Sequence, residues 1–294
     1  MFFGKYFFEV AITLRNSLFI NGILTNLEVS YGLNDADIEK LEKCDEELLR
    51  YILECPSSTP KEMLYLELGA TPLRYILMAR RLMFHHYILN EDNESLVNRF
   101  FKLQSRKPVK NDWCLTVEQN LETLNITLSE TEIKQLSINS YQRIVKTAIK
   151  KEALNYLNTL KKKHSKVLHI KHSKLEMQDY LMPSSFSAEV AKFAFQCRSR
   201  MLNVGANYKE GGKKKFPTCP VCKVTTEYDS QQHLMWCKAV NVNIVTGNRT
   251  PIYDDLFGEN LEKKMQIVNF LQRNYLKRNQ IIKQSGKNQI IKQS

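Results

Sequence analysis

The stretch from Cys219 to Cys237 reads CPVCKVTTEYDSQQHLMWC and has the most specific spacing in the chain. Two cysteines three positions apart suit a tight turn, and a histidine and a cysteine four positions apart lie on one face of a helical turn. A ten-residue loop, Lys223 to Gln232, separates the two pairs. We therefore expect one tetrahedral Zn²⁺ held by Cys219, Cys222, His233 and Cys237. Because side chains would fill all four coordination positions, we expect this zinc to be structural and not catalytic.

The chain has seven cysteines, and the four outside this stretch follow no regular spacing. We interpret Cys44, Cys55, Cys114 and Cys197 as small buried apolar residues. Use of the cluster in a disulfide or in redox chemistry remains the alternative to zinc. An odd, irregularly spaced set does not resemble the disulfide framework of a secreted protein, so we expect a reducing intracellular location, the nucleus or the cytoplasm.

The net charge of +12 is unevenly distributed. Residues 28–69 hold eleven acidic and four basic residues, whereas residues 141–171 hold nine basic and one acidic, and residues 192–223 eight basic and one acidic. A polyanion would be attracted to the second half of the chain. RNA or DNA is therefore the expected partner, with phosphate contacts from Lys213, Lys214, Lys215, Arg198, Arg200 and Lys223.

The basic block at 141–171 is also compatible with a simple solvated helix face. Four aromatic residues near the cysteines are candidates for stacking on unpaired bases: Tyr208, Phe216, Tyr228 and Trp236. Local packing is the alternative role for each of these aromatic residues.

Helix signals dominate the chain. Thr59 followed by Pro60 predicts a helix start, with Gly69 at its end. The pairs Ser129 with Glu132 and Ser173 with Glu176 have the spacing of capping boxes, and Ser187 is a further predicted N-cap. Alternating strand patterns are scarce. We therefore predict a mostly α fold with a small zinc knuckle of three cysteines and one histidine.

Composition suggests five regions. We expect a helical region at 1–105, a basic helical region at 106–208 and the zinc knuckle at 209–240. A loop and helix would follow at 241–278. The segment from Asn279 to Ser285 recurs as Asn288 to Ser294, so we expect 279–294 to be a disordered repeat tail.

The first 24 residues are apolar but interrupted by Glu9, Arg15 and Asn16. The segment lacks the basic start and the small-residue cleavage site of a signal peptide, and its polar residues argue against a membrane span. We expect a strongly buried amphipathic helix from about Phe7 to Ile23, and no membrane partner.

Sequence patterns of common catalytic sites are absent: there is no phosphate-binding glycine loop, HExxH or GxSxG. Asp254 and Asp255 follow Tyr253, and paired aspartates bind Mg²⁺ in polymerases. Their flanking residues indicate a loop before a helix, which favours helix capping over catalysis. The adjacent His85 and His86 face different directions on a helix and are interpreted as packing residues.

An ordered series of short segments resembles non-LTR retrotransposon reverse transcriptases, from just after the palm onward. The series comprises Gly4 to Phe7, Leu14 to Leu18, Leu33 to Arg50, Ser58 to Pro60, Leu64 to Gly69, Arg80-Arg81, Lys107-Pro108, Asn111 to Trp113, Arg198 to Met201 and the Cys219–Cys237 cluster. The resemblance covers roughly residues 4–278. It implies a helical thumb and linker bundle, with a thumb-like region at 1–105 and a linker region at 106–208, and a zinc knuckle that helps to hold template RNA or target DNA.

The chain departs from that family in one respect. It lacks the fingers and palm, and the Tyr253–Asp255 string has one residue too few between the tyrosine and the aspartate pair to replace the catalytic motif. The expected function is therefore noncatalytic, zinc-stabilised nucleic-acid binding by a truncated C-terminal portion. Alternatives are a protein-interaction module, residual polymerase or nuclease activity, and a translated fossil without function. Self-association through an exposed N-terminal helix is also expected, because in the family that helix would pack on the palm.

Overall fold

The structure is a computed structural model that describes residues 6–30, 33–106, 112–183, 185–205, 209–210, 213–214, 218–224, 227–241 and 252–291. Lys213 and Lys214 are described by their backbone alone. The predictions on Lys215, Tyr208 and Phe216, and on segments Gly4-Lys5, Lys107-Pro108 and Asn111, lie outside these residues.

The described part of the chain is mostly helical, which confirms the predicted mostly α class. Its helices are α1 (Phe7–Leu14), α2 (Asn21–Leu24), α3 (Asp35–Leu53), α4 (Lys61–Leu68), α5 (Leu73–Asn90), α6 (Leu96–Arg106), α7 (Trp113–Thr123), α8 (Glu130–Gln135), α9 (Ile138–Lys161), α10 (Ala188–Arg198), α11 (His233–Trp236) and α12 (Leu261–Ile291). A π-helical turn, Arg15–Ile20, joins α1 to α2. Two-residue strands β1 (Lys209–Glu210) and β2 (Lys213–Lys214) pair antiparallel, with Lys209 opposite Lys214.

Several helix ends follow the predicted caps. Ser129 and Glu132 form a complete capping box at α8, and the Ser187 hydroxyl accepts a hydrogen bond from Val190 N–H at α10. Helix α4 begins at Lys61 after Pro60, without a side-chain cap from Thr59. The segment Ser173 to Glu176 begins no helix, so that prediction was wrong. Its backbone instead runs past the C-terminal end of α4, where Leu68 and Met177 form an isolated β-bridge.

One large hydrophobic core extends across the predicted regions. It draws on buried side chains from Phe8 at the N-terminus to Leu271 in α12, and α5 packs against α9 at its centre. A smaller cluster joins Ile20 and Leu24 to Leu73 and Leu77 of α5. Since the main core includes residues from both the thumb-like and the linker regions, these regions share one core.

The N-terminal helical segment, residues 7–24, is less buried than expected. Phe8, Ile20 and Leu24 are buried, but Leu14 and Leu18 are 50% and 68% exposed. The segment is long and apolar enough to cross a membrane by length and composition, with 22% of it buried. A single segment of this kind does not identify a membrane span, because core helices and signal sequences pass the same test.

Helix α12 is longer than the sequence predicts. It was expected to end at Arg278 and to be followed by a disordered tail, but the structure continues it to Ile291. Residues 292–294 lie outside the described chain. The helix also packs on the cysteine-rich segment: Ile281 contacts the cluster of Cys219, Cys237 and Val240. The cysteine-rich segment and α12 therefore pack against each other.

Candidate metal centre

The four predicted ligands come together. One ligand atom from each of Cys219, Cys222, His233 and Cys237 lies within 4.8 Å of the others. Cys219 and Cys237 are 2% and 1% exposed. The Cys3His set is therefore compatible with a metal ion.

Two distances can be compared with the geometry of zinc. The Sγ atoms of Cys219 and Cys237 are 4.0 Å apart, and Cys222 Sγ lies 3.5 Å from His233 Nε2. A tetrahedral ion with Zn–S bonds of about 2.3 Å and Zn–N bonds of about 2.0 Å separates two sulfurs by about 3.8 Å, and a sulfur from a nitrogen by about 3.5 Å. The spacing of the donors therefore suits one tetrahedral Zn²⁺ without rearrangement of the chain.

Local backbone geometry explains how the first two cysteines converge. The Lys223 N–H donates to the Cys219 carbonyl over 3.0 Å, which closes a tight turn, and Lys223 itself adopts a left-handed conformation with φ of 57°. The backbone N–H groups of Val221 and Cys222 also lower the pKa of the Cys219 thiol. These donors stabilise negative charge on the sulfur, as a thiolate ligand requires.

The second pair of ligands is placed by α11. The Cys237 N–H donates to the His233 carbonyl over 2.8 Å, so that His233 and Cys237 lie on one side of a helical turn. The His233 Nδ1 is 3.1 Å from a carboxylate oxygen of Glu227. This contact orients the ring with Nε2 toward the sulfurs, an arrangement typical of metal-bound histidines. Glu227 was not predicted from the sequence, because an acid six residues before a histidine is not a distinctive signal.

The four side chains by themselves favour a thiolate in the cluster. A hydrogen bond from Cys237, and less strongly one from His233, lowers the pKa of the Cys219 thiol to about 3. The same pairing raises the pKa of Cys237. The Cys219 thiolate, first among several causes, raises the pKa of His233. The donor set can thus supply the anionic sulfur that a soft divalent cation prefers.

A buried ion pair attaches this segment to the body of the protein. Asp229 is fully buried and accepts hydrogen bonds from the Arg278 guanidinium of α12, with Nε at 3.0 Å, and from the Gly205 N–H at 2.6 Å. The amide of Asn274 donates to the Leu234 carbonyl at 2.7 Å. These bonds hold the candidate metal centre against α12.

The predicted phosphate contacts divide into different groups. Lys223 is exposed and Arg200 is half-buried, with its guanidinium 5.6 Å from the centre of the Phe257 ring. Lys213 and Lys214 lie in β2, and nothing further is described for them. Arg198 is only 1% exposed and bonds to Glu67 and to the Leu256 carbonyl. The prediction that Arg198 contacts phosphate is therefore wrong.

Two of the four candidate stacking residues are exposed next to the metal centre. Trp236, at 48% exposure, immediately precedes Cys237, and Tyr228, at 59%, immediately follows Glu227. Lys238 on the far side of Cys237 is also exposed. A ligand bound at the four donors would fix the backbone at these positions, and with it the places from which the exposed side chains extend.

Several residues from the motif-like segments form buried pairs that the sequence analysis did not predict. Arg15 Nε donates to Asp45 Oδ1 at 2.6 Å, and the Tyr65 hydroxyl lies 3.1 Å from Asp45 Oδ2. Glu67 is fully buried and bonds to Arg198, His172 and Tyr180. Burial by itself would raise the pKa of Glu67, but Arg198 and His172 outweigh it and hold the pKa well below its usual range.

The remaining chemical candidates take structural positions. Tyr253 to Phe257 form a short 3-10 helix where the sequence predicted a loop, and Asn260 caps α12 where the aspartates were expected to cap. His86 packs on the Tyr141 ring with centroids 5.2 Å apart, in agreement with a packing role. Cys114 and Cys197 are buried as expected, whereas Cys44 is exposed.

Comparison with known proteins gives no relative: no family model, no curated protein and no solved structure matches this chain. The resemblance to reverse transcriptases therefore stays a prediction, and the candidate metal centre is the functional feature on which a proposal can be built.

Proposed function

We propose that this chain is a zinc-stabilised nucleic-acid-binding protein without catalytic activity, related to the C-terminal portion of a non-LTR retrotransposon reverse transcriptase. The observation that carries the proposal is the position of Tyr228, Trp236, Lys223 and Lys238. All four are exposed, and each is next in sequence to a Cys/His donor or to the glutamate that orients His233. Exposed aromatic and cationic side chains on a fixed backbone suit unpaired bases and their phosphates.

A second basic surface supports the same partner. Arg143, Lys146 and Lys150 lie within about 60° of one another around α9, given about 100° per residue, on the side opposite the buried Tyr141. All three are exposed and make no ion pair within the described residues. An unpaired cationic stripe is available for phosphate contacts and for the counterion release that accompanies them.

The proposed relationship to reverse transcriptases is supported by how the motif-like segments meet. The segment Leu14 to Leu18 contributes Arg15, which pairs with Asp45 of the next segment. Leu64 to Gly69 contributes Glu67, which pairs with Arg198 from the segment before the cysteines. The segments that carry the resemblance thus contact one another in the folded chain. Replacement of one member of either ion pair would leave the other member as an unpaired buried charge.

The test is a titration of the zinc-loaded full chain with labelled single-stranded RNA and DNA at two salt concentrations. We expect affinity to fall steeply with salt, with a logarithmic slope of about 0.7 for each phosphate neutralised. Trp236→Ala and Tyr228→Ala should each weaken binding by about 1–3 kcal/mol if the rings stack on bases. Tyr51→Ala removes an 81% exposed tyrosine from α3 and serves as the matched control.

Charge variants complete the test. Lys223→Ala with Lys238→Ala should reduce the salt slope, whereas Lys40→Ala with Lys43→Ala, which removes two exposed lysines of α3, should not. Binding that is insensitive to salt, or that the Tyr51 and Trp236 variants weaken equally, would contradict the proposal. Primer extension with Mg²⁺ that is lost in Asp254→Asn would contradict the noncatalytic part.

Self-association is a second candidate property, favoured by the exposure of Leu14 and Leu18 in the N-terminal helical segment. Burial of these side chains against a second copy would remove apolar surface from water. Light scattering over a range of concentrations should then show oligomers that Leu14→Ser with Leu18→Ser disperses. A monodisperse monomer of the unchanged chain would exclude it.

A further inference from the structure

Helix α6 presents an apolar stripe to solvent. Leu96, Phe100 and Leu103 are 71%, 64% and 61% exposed, and Val97 beside them is 39% exposed. The first three follow the i, i+4, i+7 spacing of one helix face and extend over about 10 Å. Large apolar side chains in a row, at this exposure, are unusual on the surface of a monomer.

The opposite face of α6 is already occupied, so the helix is fixed with its stripe outward. The Asn98 amide donates to the carbonyls of Ile88 and Glu91, each over 3.3 Å. Phe101 packs against the Trp113 ring with centroids 6.2 Å apart. Ser105 lies 3.6 Å from the Cys114 sulfur. Only the outer half of the helix circumference is available to a partner.

The charges on α6 are all positive. Arg99, Lys102 and Arg106 are exposed, lie beside the stripe at about 240–300° around the helix, counted from Leu96 at about 100° per residue, and make no ion pair among the described residues. The helix contains no acidic residue. Lys102 donates a hydrogen bond to the Asn93 side-chain oxygen over 2.8 Å. The outer surface of α6 therefore combines an apolar stripe with a row of three cations that no described carboxylate pairs.

The apolar stripe and the cations together indicate which kind of partner binds the outer surface of α6. A second copy that paired stripe to stripe would bring three cations from each chain together, which is unfavourable. Nucleic acid would satisfy the cations but leave the leucines and Phe100 in water. A protein groove that encloses a helix contacts most of the helix circumference. The inner face of α6 is already packed against the protein, so such a groove would not fit. A flat anionic lipid surface needs one side only, takes apolar side chains at the acyl boundary and places phosphates beside the cations.

We propose that α6 is a peripheral membrane-binding surface that docks on anionic phospholipid through Leu96, Phe100 and Leu103, with Arg99, Lys102 and Arg106 at the headgroups. The proposal concerns attachment to a surface and not a span. It departs from the sequence-based expectation of no membrane partner, which considered residues 1–24 alone. It does not depend on the proposed nucleic-acid binding.

The experiment is flotation of the zinc-loaded full chain with vesicles of phosphatidylcholine alone and of phosphatidylcholine mixed with phosphatidylserine. We expect flotation with the mixed vesicles, and a fall in partition coefficient of about tenfold or more in Phe100→Ser with Leu103→Ser. Ile138→Ser with Leu276→Ser removes apolar residues that are 57% and 55% exposed elsewhere, and should float like the unchanged chain.

The charge contribution has its own variant pair. Arg99→Gln with Arg106→Gln should weaken flotation, while Lys134→Gln with Lys163→Gln removes the same charge from other exposed positions and should weaken it less. Equal flotation of the stripe variant and the unchanged chain would mean attraction by net charge alone and would overturn the proposal. Absence of flotation would overturn it too, as would an oligomer or an RNA complex that depends on Phe100 and Leu103 in a chain that does not float.

Discussion

Glu67 and Arg198 form a buried ion pair across 131 residues of sequence, with Arg198 Nε 3.1 Å from Glu67 Oε2. His172 and Tyr180 bond to the same carboxylate, at 3.0 Å and 2.7 Å. The pair connects α4 to α10 at a position that no solvent reaches. Arg198, which was expected to contact phosphate, thus forms a buried ion pair that connects two helices.

Removal of one partner should destabilise the chain strongly. Arg198→Ala leaves the Glu67 carboxylate buried with its main counter-charge gone, and we expect a loss of about 3–5 kcal/mol in the free energy of unfolding. Urea denaturation followed by circular dichroism measures it. Arg273→Ala, at an exposed position of α12, should stay within about 0.5 kcal/mol of the unchanged chain. A cost for Arg198→Ala as small as that of the control would contradict the buried pair.

The two glycines Gly69 and Gly22 should respond oppositely to alanine. Gly69 has φ of 62° at the end of α4, and a Cβ there would lie 2.2 Å from the Met177 backbone nitrogen. Gly69→Ala should therefore cost more than about 1 kcal/mol in stability. Gly22 has no neighbouring atom near a Cβ and lies in α2, so Gly22→Ala should stabilise by up to about 1 kcal/mol. Thermal unfolding of both variants distinguishes these signs, and equal shifts would refute the explanation.

The Cys3His cluster should bind one zinc ion per chain. Metal analysis of the purified protein should find equimolar zinc that Cys219→Ser largely removes, because the loss of one thiolate opens the site. Cys44→Ser changes an exposed cysteine and should retain the metal. Chelation should lower the thermal midpoint, since metal binding contributes to folding. Equimolar zinc in the Cys219 variant would exclude the proposed ligand set.

Glu227 should influence zinc affinity although it is not itself a ligand. Its carboxylate lies 3.1 Å from His233 Nδ1, so Glu227→Gln should weaken zinc binding by about 10–100-fold. Competition with a chromophoric chelator gives the affinity. Glu189→Gln at the exposed start of α10 is the control and should leave the affinity unchanged. Identical affinities for the two variants would show that Glu227 does not orient the ring.

His85 should make stability depend on pH. Burial, and next the neighbouring His86, lower the pKa of His85 to about 4 from its ordinary value of 6.5. The unfolded chain therefore takes up this proton first, and stability present above pH 6.5 is lost as the pH falls toward 4. We expect about 2 kcal/mol of loss between pH 7 and pH 5 that His85→Gln reduces. A ring that titrates near its ordinary pKa by NMR would contradict this expectation.

Local signals in the sequence determined the helical class, several helix ends and the four candidate ligands. The Ser129 and Ser187 caps and the spacing of Cys219 with Cys222 act over three residues or fewer, so one stretch of chain contains the whole interaction. His233 and Cys237 likewise depend on one helical turn. The mostly helical class followed from such short-range patterns, and the structure confirms it.

Tertiary structure decided which charged and apolar residues remain accessible. Arg198 and Arg200 are two positions apart, yet one is buried on Glu67 and the other is half-exposed beside Phe257. Leu96 and Phe100 have the spacing of a core face, yet α6 buries Asn98 and half-buries Phe101 instead. The sequence specifies the side chains, but burial depends on partners far away in the chain, and only the packed fold brings those partners into contact.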